Sequence, residues 1–213
     1  MEPSTAAPTN AAEAFDKAIL EPQSRIAVIH SNYVSASARS IVINVADDFT
    51  IRDAHTDAVL FRIAAKRDVY CTRTLVDVSS NMPVAVIQEP VLTGRHRQRV
   101  YTPEMEPWFD VVPHLTFVTN PADCDVVDCV TGATHTFSIG ANALARKVVV
   151  TRLGETVAKM HKPKAIASKQ YLVDIAPGMD MAFVALLCLA VDEASNIHLL
   201  PVMSMLYMPF SFL

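Results

Sequence analysis

The chain has 213 residues, of which 51% are hydrophobic and 19% are charged, and its formal net charge is −4 at pH 7. This length suits one domain with a sizeable core. The negative charge argues against general nucleic-acid binding, which requires an extended positive surface, so we expect no nucleic-acid partner.

The first 22 residues are rich in Ala, Pro, Thr, Ser and Glu, and they contain neither the basic nor the apolar segment of a secretory signal. We expect a disordered N-terminal arm over residues 1–22 and one domain over residues 23–195. The four cysteines show no paired disulfide framework. We therefore expect an intracellular, cytoplasmic protein, with peripheral membrane attachment as an open alternative.

Four predicted hairpins follow, each made of two extended segments joined by a polar turn. The segments are residues 49–53 with 59–63, 75–78 with 84–87, 125–128 with 136–139, and 148–151 with 156–160. In the first hairpin the period of two puts apolar residues on an inner face and arginines on the other: Phe49, Ile51, Phe61 and Ile63 against Arg52 and Arg62. Successive hairpins predict an antiparallel meander, which must close or protect its edges.

Three of these hairpins share a turn pattern. An aspartate ends the first strand, and a residue typical of turns follows four positions later: Asp53 with Asp57, Asp77 with Asn81, and Asp128 with Gly132. Such residues tolerate the backbone angles of tight turns, glycine most readily.

Two basic clusters interrupt this acidic chain. One contains Lys159, His161, Lys162, Lys164 and Lys169, and the other contains Arg95, His96, Arg97 and Arg99. The simpler interpretation of each cluster, which we favour, is a solvated strand end or loop. The alternative is a phosphoinositide or other anionic headgroup site, since each basic residue near an anionic leaflet contributes about 1 kcal/mol of attraction. Pro163 limits the preceding strand, so the last lysines of the first cluster are expected in a rim loop.

A wholly apolar run covers residues 181–191. A helix of this length reaches roughly 16 Å against about 30 Å of bilayer hydrocarbon, which favours a buried core helix over a membrane span. A buried strand is the alternative, but Met, Ala, Leu and Cys outnumber β-branched residues. We predict a helix over residues 178–193. A barrel around it would bury every face, whereas a sandwich capped by the helix would leave one side wet.

The segment 196–213 forms an apolar tail that is interrupted by Pro201 and Pro209. The prolines and the short length oppose a transmembrane helix. Packing against the outside of the domain and weak adhesion to a membrane surface are both compatible with the composition.

Three blocks resemble the LURP-one-related family: residues 48–63, residues 154–162 and, most specifically, residues 171–193. The resemblance extends over about residues 23–195. It implies the fold that this family shares with the tubby C-terminal domain and the phospholipid scramblases, a closed antiparallel barrel of about 12 strands around a hydrophobic helix. Residues 88–102 lack the Arg-Arg-Lys run that members often carry, so no lipid-contact role is transferred to residues 95–99. The calcium segment of scramblases has no counterpart at residues 171–180.

No catalytic or metal-binding motif stands out. The sequence contains no His-Glu-x-x-His pair, no nucleophile elbow and no glycine-rich phosphate loop. Cys124 and Cys129 lack a second pair at ligand spacing, and Asp125 and Asp128 fall on opposite faces of a strand. We expect no metal and no cofactor.

These observations predict an all-β protein, a closed antiparallel barrel enclosing a C-terminal helix, that acts as a non-enzymatic binding or scaffold module. The expected partners are anionic phospholipids, phosphoinositides among them, bound through Lys159, His161, Lys162 and Lys164, with protein partners as a further option. Two alternatives stay open: an enzyme whose active-site residues are dispersed along the chain, and a scramblase-like membrane protein.

Overall fold

The computed structural model describes residues 15–45, 49–66, 72–88, 97–113, 122–142, 147–162 and 170–197. In these residues, a 3₁₀ helix (Ser31–Tyr33) precedes twelve strands and a long helix, here called the central helix. In chain order they are β1 (Arg39–Asn44), β2 (Thr50–Asp53), β3 (Val59–Ala65), β4 (Arg73–Asp77), β5 (Met82–Gln88), β6 (Gln98–Tyr101), β7 (Pro107–Pro113), β8 (Ala122–Val127), β9 (Thr134–Asn142), β10 (Lys147–Arg152), β11 (Glu155–His161), β12 (Gln170–Ile175) and the central helix (Met181–Ile197).

Each strand pairs antiparallel with its neighbours in sequence, and β1 pairs with β12 to close the barrel. In the closing pair Arg39 lies opposite Ile175 and Asn44 lies opposite Gln170. The closed antiparallel barrel is therefore confirmed. The four predicted hairpins correspond to β2–β3, β4–β5, β8–β9 and β10–β11. The inner face predicted for the first hairpin also agrees, because Ile51, Phe61 and Ile63 are buried while Phe49 is partly buried.

The meander gives the barrel two different ends. The turns that follow β2, β4, β6, β8 and β10 lie at one end, the turn end, where the central helix also begins. The odd-numbered strands β1 to β11 finish at the opposite end, the loop end. The helix therefore enters the barrel from the turn end.

The central helix fills the barrel. Residues 182–190 are at most 2% exposed, so every face of the helix is covered. The Phe183 ring packs edge-on against Phe109 with centroids 5.5 Å apart, and its centroid lies 5.0 Å from that of Phe137. The prediction of a buried helix is confirmed, and the alternatives of a strand or of a helix with one wet side are wrong.

The three aspartate turns share one hydrogen-bonding pattern. Asp53 Oδ1 accepts from the backbone N–H groups two and three positions later, at 2.9 Å each, and Asp128 Oδ1 does so at 2.8 and 2.7 Å. Asp77 repeats the pattern at 2.7 and 3.4 Å. The residue four positions after each aspartate has a positive φ, as predicted: Asp57 (58°), Asn81 (56°) and Gly132 (73°).

Asp128 also attaches the N-terminal segment to the barrel, since its Oδ2 accepts from the Ala27 N–H at 2.9 Å. Burial opposes ionisation of this carboxyl, but the N–H groups of Thr131, Ala27 and Val130 hold its pKa down at about 2. The turn therefore keeps a charged carboxylate at all ordinary pH values.

The central helix begins three residues later than predicted and ends four residues later. Asp180 is its N-cap, because Asp180 Oδ1 accepts from the Phe183 N–H at 3.1 Å and the Asp180 carbonyl accepts from Val184. Gly178 has a φ of +83°, which no α-helix accommodates. The predicted start at residue 178 is corrected for this reason.

Gly178 provides a first prediction. A Cβ at this position would overlap the carbonyl oxygen of Gln23, and its positive φ is strained for any other residue. We expect Gly178→Ala to lower the free energy of unfolding by about 2–4 kcal/mol, measured by urea denaturation.

Gly154→Ala is the matched control. Gly154 has nearly the same φ, +84°, but an added Cβ there meets nothing within 4 Å. The control measures the backbone strain alone, expected at about 1 kcal/mol. Equal losses for the two variants would contradict the steric role of Gln23.

Candidate functional site

The candidate site is a basic face on the outside of β10 and β11, formed by Lys147, Lys159 and His161. Lys147 lies opposite His161 in the β10–β11 pairing, and Val149 lies opposite Lys159. Val148 and Met160 point to the core, so the alternation of the strands turns the two lysines and His161 outward. The structure thus brings together two of the predicted residues, Lys159 and His161, and adds Lys147, which the sequence reasoning missed.

The aromatic ring of Phe15 covers this basic face. The Lys159 Nζ lies 4.6 Å and the Lys147 Nζ lies 4.9 Å from its centroid, both within the range of cation–π contacts. The ring also meets His161 edge-on, with centroids 5.8 Å apart. Phe15 is 8% exposed as a result.

The residues that follow Phe15 continue along β11. Asp16 Oδ1 pairs with Lys147 Nζ at 2.6 Å, and Lys159 Nζ donates to the Ala18 carbonyl at 3.0 Å. The hydrogen bond from Lys147 lowers the pKa of Asp16. Further on, Leu20 forms a parallel bridge with Thr156, and the Glu21 N–H donates to the Thr156 carbonyl at 2.9 Å. Residues 15–21, part of the predicted N-terminal arm, therefore lie against the barrel.

Lys162 lies apart from the basic face, at the loop end. Its Nζ lies 4.7 Å from the Tyr171 ring centroid and donates to the Tyr171 hydroxyl at 3.2 Å. Tyr171 belongs to the barrel core, so Lys162 caps the loop end of that core. Lys164, the fourth predicted residue, lies outside the described residues, as does Lys169.

His161 is half-buried between these groups, and its Nδ1 has no hydrogen-bond partner among the residues that the structure describes. This nitrogen is itself buried, so it is not open to a ligand in this arrangement.

Two members of the second basic cluster, Arg97 and Arg99, share the carboxylate of Asp110. Arg99 binds Asp110 with two hydrogen bonds, of 2.8 and 3.2 Å, and Arg97 reaches the same carboxylate at 3.3 Å. The ion pair with Asp110 raises the pKa of Arg99. Arg95 and His96 lie outside the described residues. This geometry gives Arg97 and Arg99 a structural role, because both bind a carboxylate of the neighbouring strand β7.

Charge is distributed unevenly between the two ends of the barrel. Basic residues of the described chain gather in the half nearer the loop end: Lys66, Arg73, Arg97, Arg99, Lys147, Lys159 and Lys162. Acidic residues gather toward the turn end: Asp53, Asp57, Asp77, Glu104, Glu106, Asp128 and Glu155. The loop-end half also holds Asp16, Asp110 and Asp123, and the turn end also holds Arg39, Arg52 and Arg152, so among the described residues the loop-end half has an excess of positive charge rather than a purely basic surface.

A cleft of about 510 Å³ opens at the turn end, lined by Tyr33, Ser35, Arg39, Asp53 and Met181 among others. Arg39 is held in place by Ser35 Oγ at 3.2 Å and by Asp53 Oδ2 at 3.5 Å. Burial and the hydrogen bond to Asp77 raise the pKa of Tyr33, whereas the Asp53 turn lowers the pKa of that carboxyl against the effect of burial. Sequence reasoning missed this cleft because its residues carry no motif.

Two further observations bear on the open alternatives. No group of three or more His, Cys, Asp or Glu side chains in the described ranges is arranged to hold a metal ion. Within those same ranges, every helix falls short of the length and apolar character needed to cross a membrane.

Comparison with known proteins addresses the family. A family model described as LURP-one-related matches residues 37–192. A crystal structure of a protein from Arabidopsis thaliana is similar with a TM-score of 0.56 at 20% sequence identity, covering 78% of this chain and 96% of that one. No curated protein matches the sequence significantly. At this identity the structural match supports the fold alone, but the family model covers most of the chain and includes every strand and most of the central helix. The chain therefore belongs to the LURP-one-related family.

Proposed function

We propose that this protein is a non-enzymatic binding module that attaches reversibly to anionic membrane lipids, phosphoinositides among them. The contacting residues are Lys159, His161, Lys162 and Lys164, with Lys147 added from the strand pairing. The protein acts at the cytoplasmic face of a membrane, which it meets with the loop end of the barrel.

The observation that carries this proposal is the juxtaposition of Lys147, Lys159 and His161 on one outward face near a basic barrel end. Two ammonium groups lie within 5 Å of one aromatic ring centroid. Anionic headgroups are attracted to such a cluster, and each lysine near the membrane surface contributes about 1 kcal/mol. The acidic turn end points the opposite way, so repulsion from an anionic leaflet also favours approach by the loop end.

The titratable groups of the turn-end cleft support the enzymatic alternative less strongly than the basic face supports lipid binding. General acids and bases work best with a pKa near the operating pH. The pKa of Tyr33 is shifted upward and that of Asp53 downward, away from neutrality in both cases. A screen for hydrolase and transferase turnover tests this alternative directly, and reproducible turnover that is lost in Tyr33→Phe would displace the binding proposal.

Membrane binding is predicted to depend on salt and on the lysines. We expect affinity for phosphatidylcholine vesicles containing a phosphoinositide to fall steeply between low and physiological ionic strength. The reason is that added salt shortens the Debye length to about 8–10 Å and so weakens the attraction between exposed charges. Replacing Lys159, Lys162 and Lys164 by Gln should weaken binding at low salt by about tenfold or more. Vesicle co-sedimentation measures both effects.

Arg39→Gln is the matched control, since it removes one positive charge at the turn end. Arg39 is half-exposed, and its ion pair with Asp53 is long at 3.5 Å, so the fold should tolerate the change. Its affinity should stay close to that of the wild type. Binding that ignores both salt and the lysine substitutions would return the cluster to the role of a solvated loop.

A further inference from the structure

Residues 15–20 occupy the donors that the proposed function assigns to a lipid headgroup. Asp16 places a carboxylate on Lys147, and Lys159 is shared between the Phe15 ring and the Ala18 carbonyl. His161 is covered by the same ring. While the segment is in place, both ammonium groups are already paired with it, so a headgroup phosphate must displace these contacts in order to bind.

The contacts of the segment imitate those of an anionic ligand. The Asp16 carboxylate supplies a negative charge to Lys147. The Phe15 ring and the Ala18 carbonyl interact with the ammonium group of Lys159. The register is set further along, by the bridge of Leu20 to Thr156 and the hydrogen bond of Glu21. Residues 15–18 can therefore leave the basic face while the backbone from Leu20 onward stays attached.

The segment is suited to displacement because its charged contacts are exposed. The Asp16 side chain is 66% exposed and that of Lys147 is 26% exposed, so salt and water compete with this ion pair. Phe15 contributes the buried part of the contact. A multivalent anionic surface offers more charge to the two lysines than one carboxylate does.

We infer that residues 15–20 form an autoinhibitory strap, of which residues 15–18 shield Lys147 and Lys159 and are exchanged for the anionic membrane surface on binding. This inference rests on the proposed function. It predicts that the strap and the vesicle compete for one set of ammonium groups.

Docking of the strap can be measured without any lipid. Trypsin cleaves after Lys17, which is exposed, and a docked strap slows this cut because the protease needs a locally extended chain. We expect Phe15→Ala/Asp16→Asn in the full chain to raise the rate of cleavage at Lys17 severalfold, followed by intact mass. Ile19→Ala is the control, since its side chain is 74% exposed within the same segment. Equal rates in all three proteins would overturn the strap.

Competition is then measured with phosphatidylcholine vesicles, with and without phosphatidylinositol bisphosphate. The Phe15→Ala/Asp16→Asn variant should bind the anionic vesicles severalfold more tightly than the wild type, and Ile19→Ala should match the wild type. Equal binding by variant and wild type, with the lysine variants still weakened, would overturn the competition and leave the proposed function intact. Failure of every protein to bind would overturn the proposed function and the competition together.

Discussion

Leu187→Asp is expected to abolish cooperative folding. Leu187 is fully buried in the middle of the central helix, where the barrel encloses it on all sides. An unpaired carboxylate in such a dry core costs several kcal/mol, and even the protonated acid leaves polar atoms without partners. Total stabilities are about 5–15 kcal/mol, so the variant should lack a cooperative thermal transition by circular dichroism and should be recovered mainly as aggregate.

Leu153→Asp provides the matched control for this substitution. Leu153 is 84% exposed in the β10–β11 turn and has a φ of 52°, a conformation that aspartate tolerates better than leucine. The same chemical change should therefore leave the melting temperature nearly unchanged or raise it slightly. A soluble, native-like Leu187→Asp protein would show that the helix is not enclosed.

Asp180→Ala is expected to produce the second large loss. Asp180 Oδ2 accepts from the N–H groups of Val28 (3.1 Å), Ile29 (2.7 Å) and His30 (3.1 Å), and Oδ1 caps the central helix at Phe183. Alanine leaves these donors without acceptors in a site that excludes water. The free energy of unfolding should fall by on the order of 4 kcal/mol or more, measured by urea denaturation.

Asp180 also predicts a pH dependence. Burial raises its pKa from 3.8 to about 6, although the N–H groups of Phe183, Ile29 and His30 favour the charged form. The folded protein therefore binds this proton more tightly than the unfolded chain does. The contribution of Asp180 to stability is complete below about pH 4 and falls as the pH rises through 6, by about 3 kcal/mol in total.

Asp180→Asn isolates this effect, because asparagine keeps the N-cap and one acceptor but does not titrate. The stability of the wild type relative to Asp180→Asn should fall as the pH rises from 4 to 7. A difference that stays constant over this range would show that the pKa of Asp180 is not raised in the folded protein.

The parts of the fold that were predictable are those in which the local pattern and the tertiary environment agree. The period of two in β2 and β3 and the aspartate turns predict three of the four hairpins, and the apolar run predicts the helix. Strands β6 and β7 are harder to predict from the sequence pattern, for two physical reasons. The inward position of β6 nearest the loop end is Gln98, a buried polar residue, and β7 starts and ends with proline.

The candidate site was predictable only in part, because it depends on strand register and on a distant segment. Lys159 and His161 were found from their spacing along one strand. Lys147 joins them only because β10 pairs with β11 at that register. Phe15 is an aromatic residue in an arm rich in alanine and proline, and composition alone does not reveal what such a residue packs against. The predicted helix start at Gly178 is wrong because the positive φ of this residue belongs to the turn before the helix.

The order of the strands has a consequence for biosynthesis. Every pairing joins consecutive strands except the closing one, in which β1 pairs with β12, the last strand to be synthesised. During translation at about 5–20 residues per second, the free edge of β1 is exposed for on the order of ten seconds before its partner is made. The apolar helix is synthesised later still. Any sheet that forms before the helix is made therefore has a concave apolar face without the helix that covers it in the folded protein.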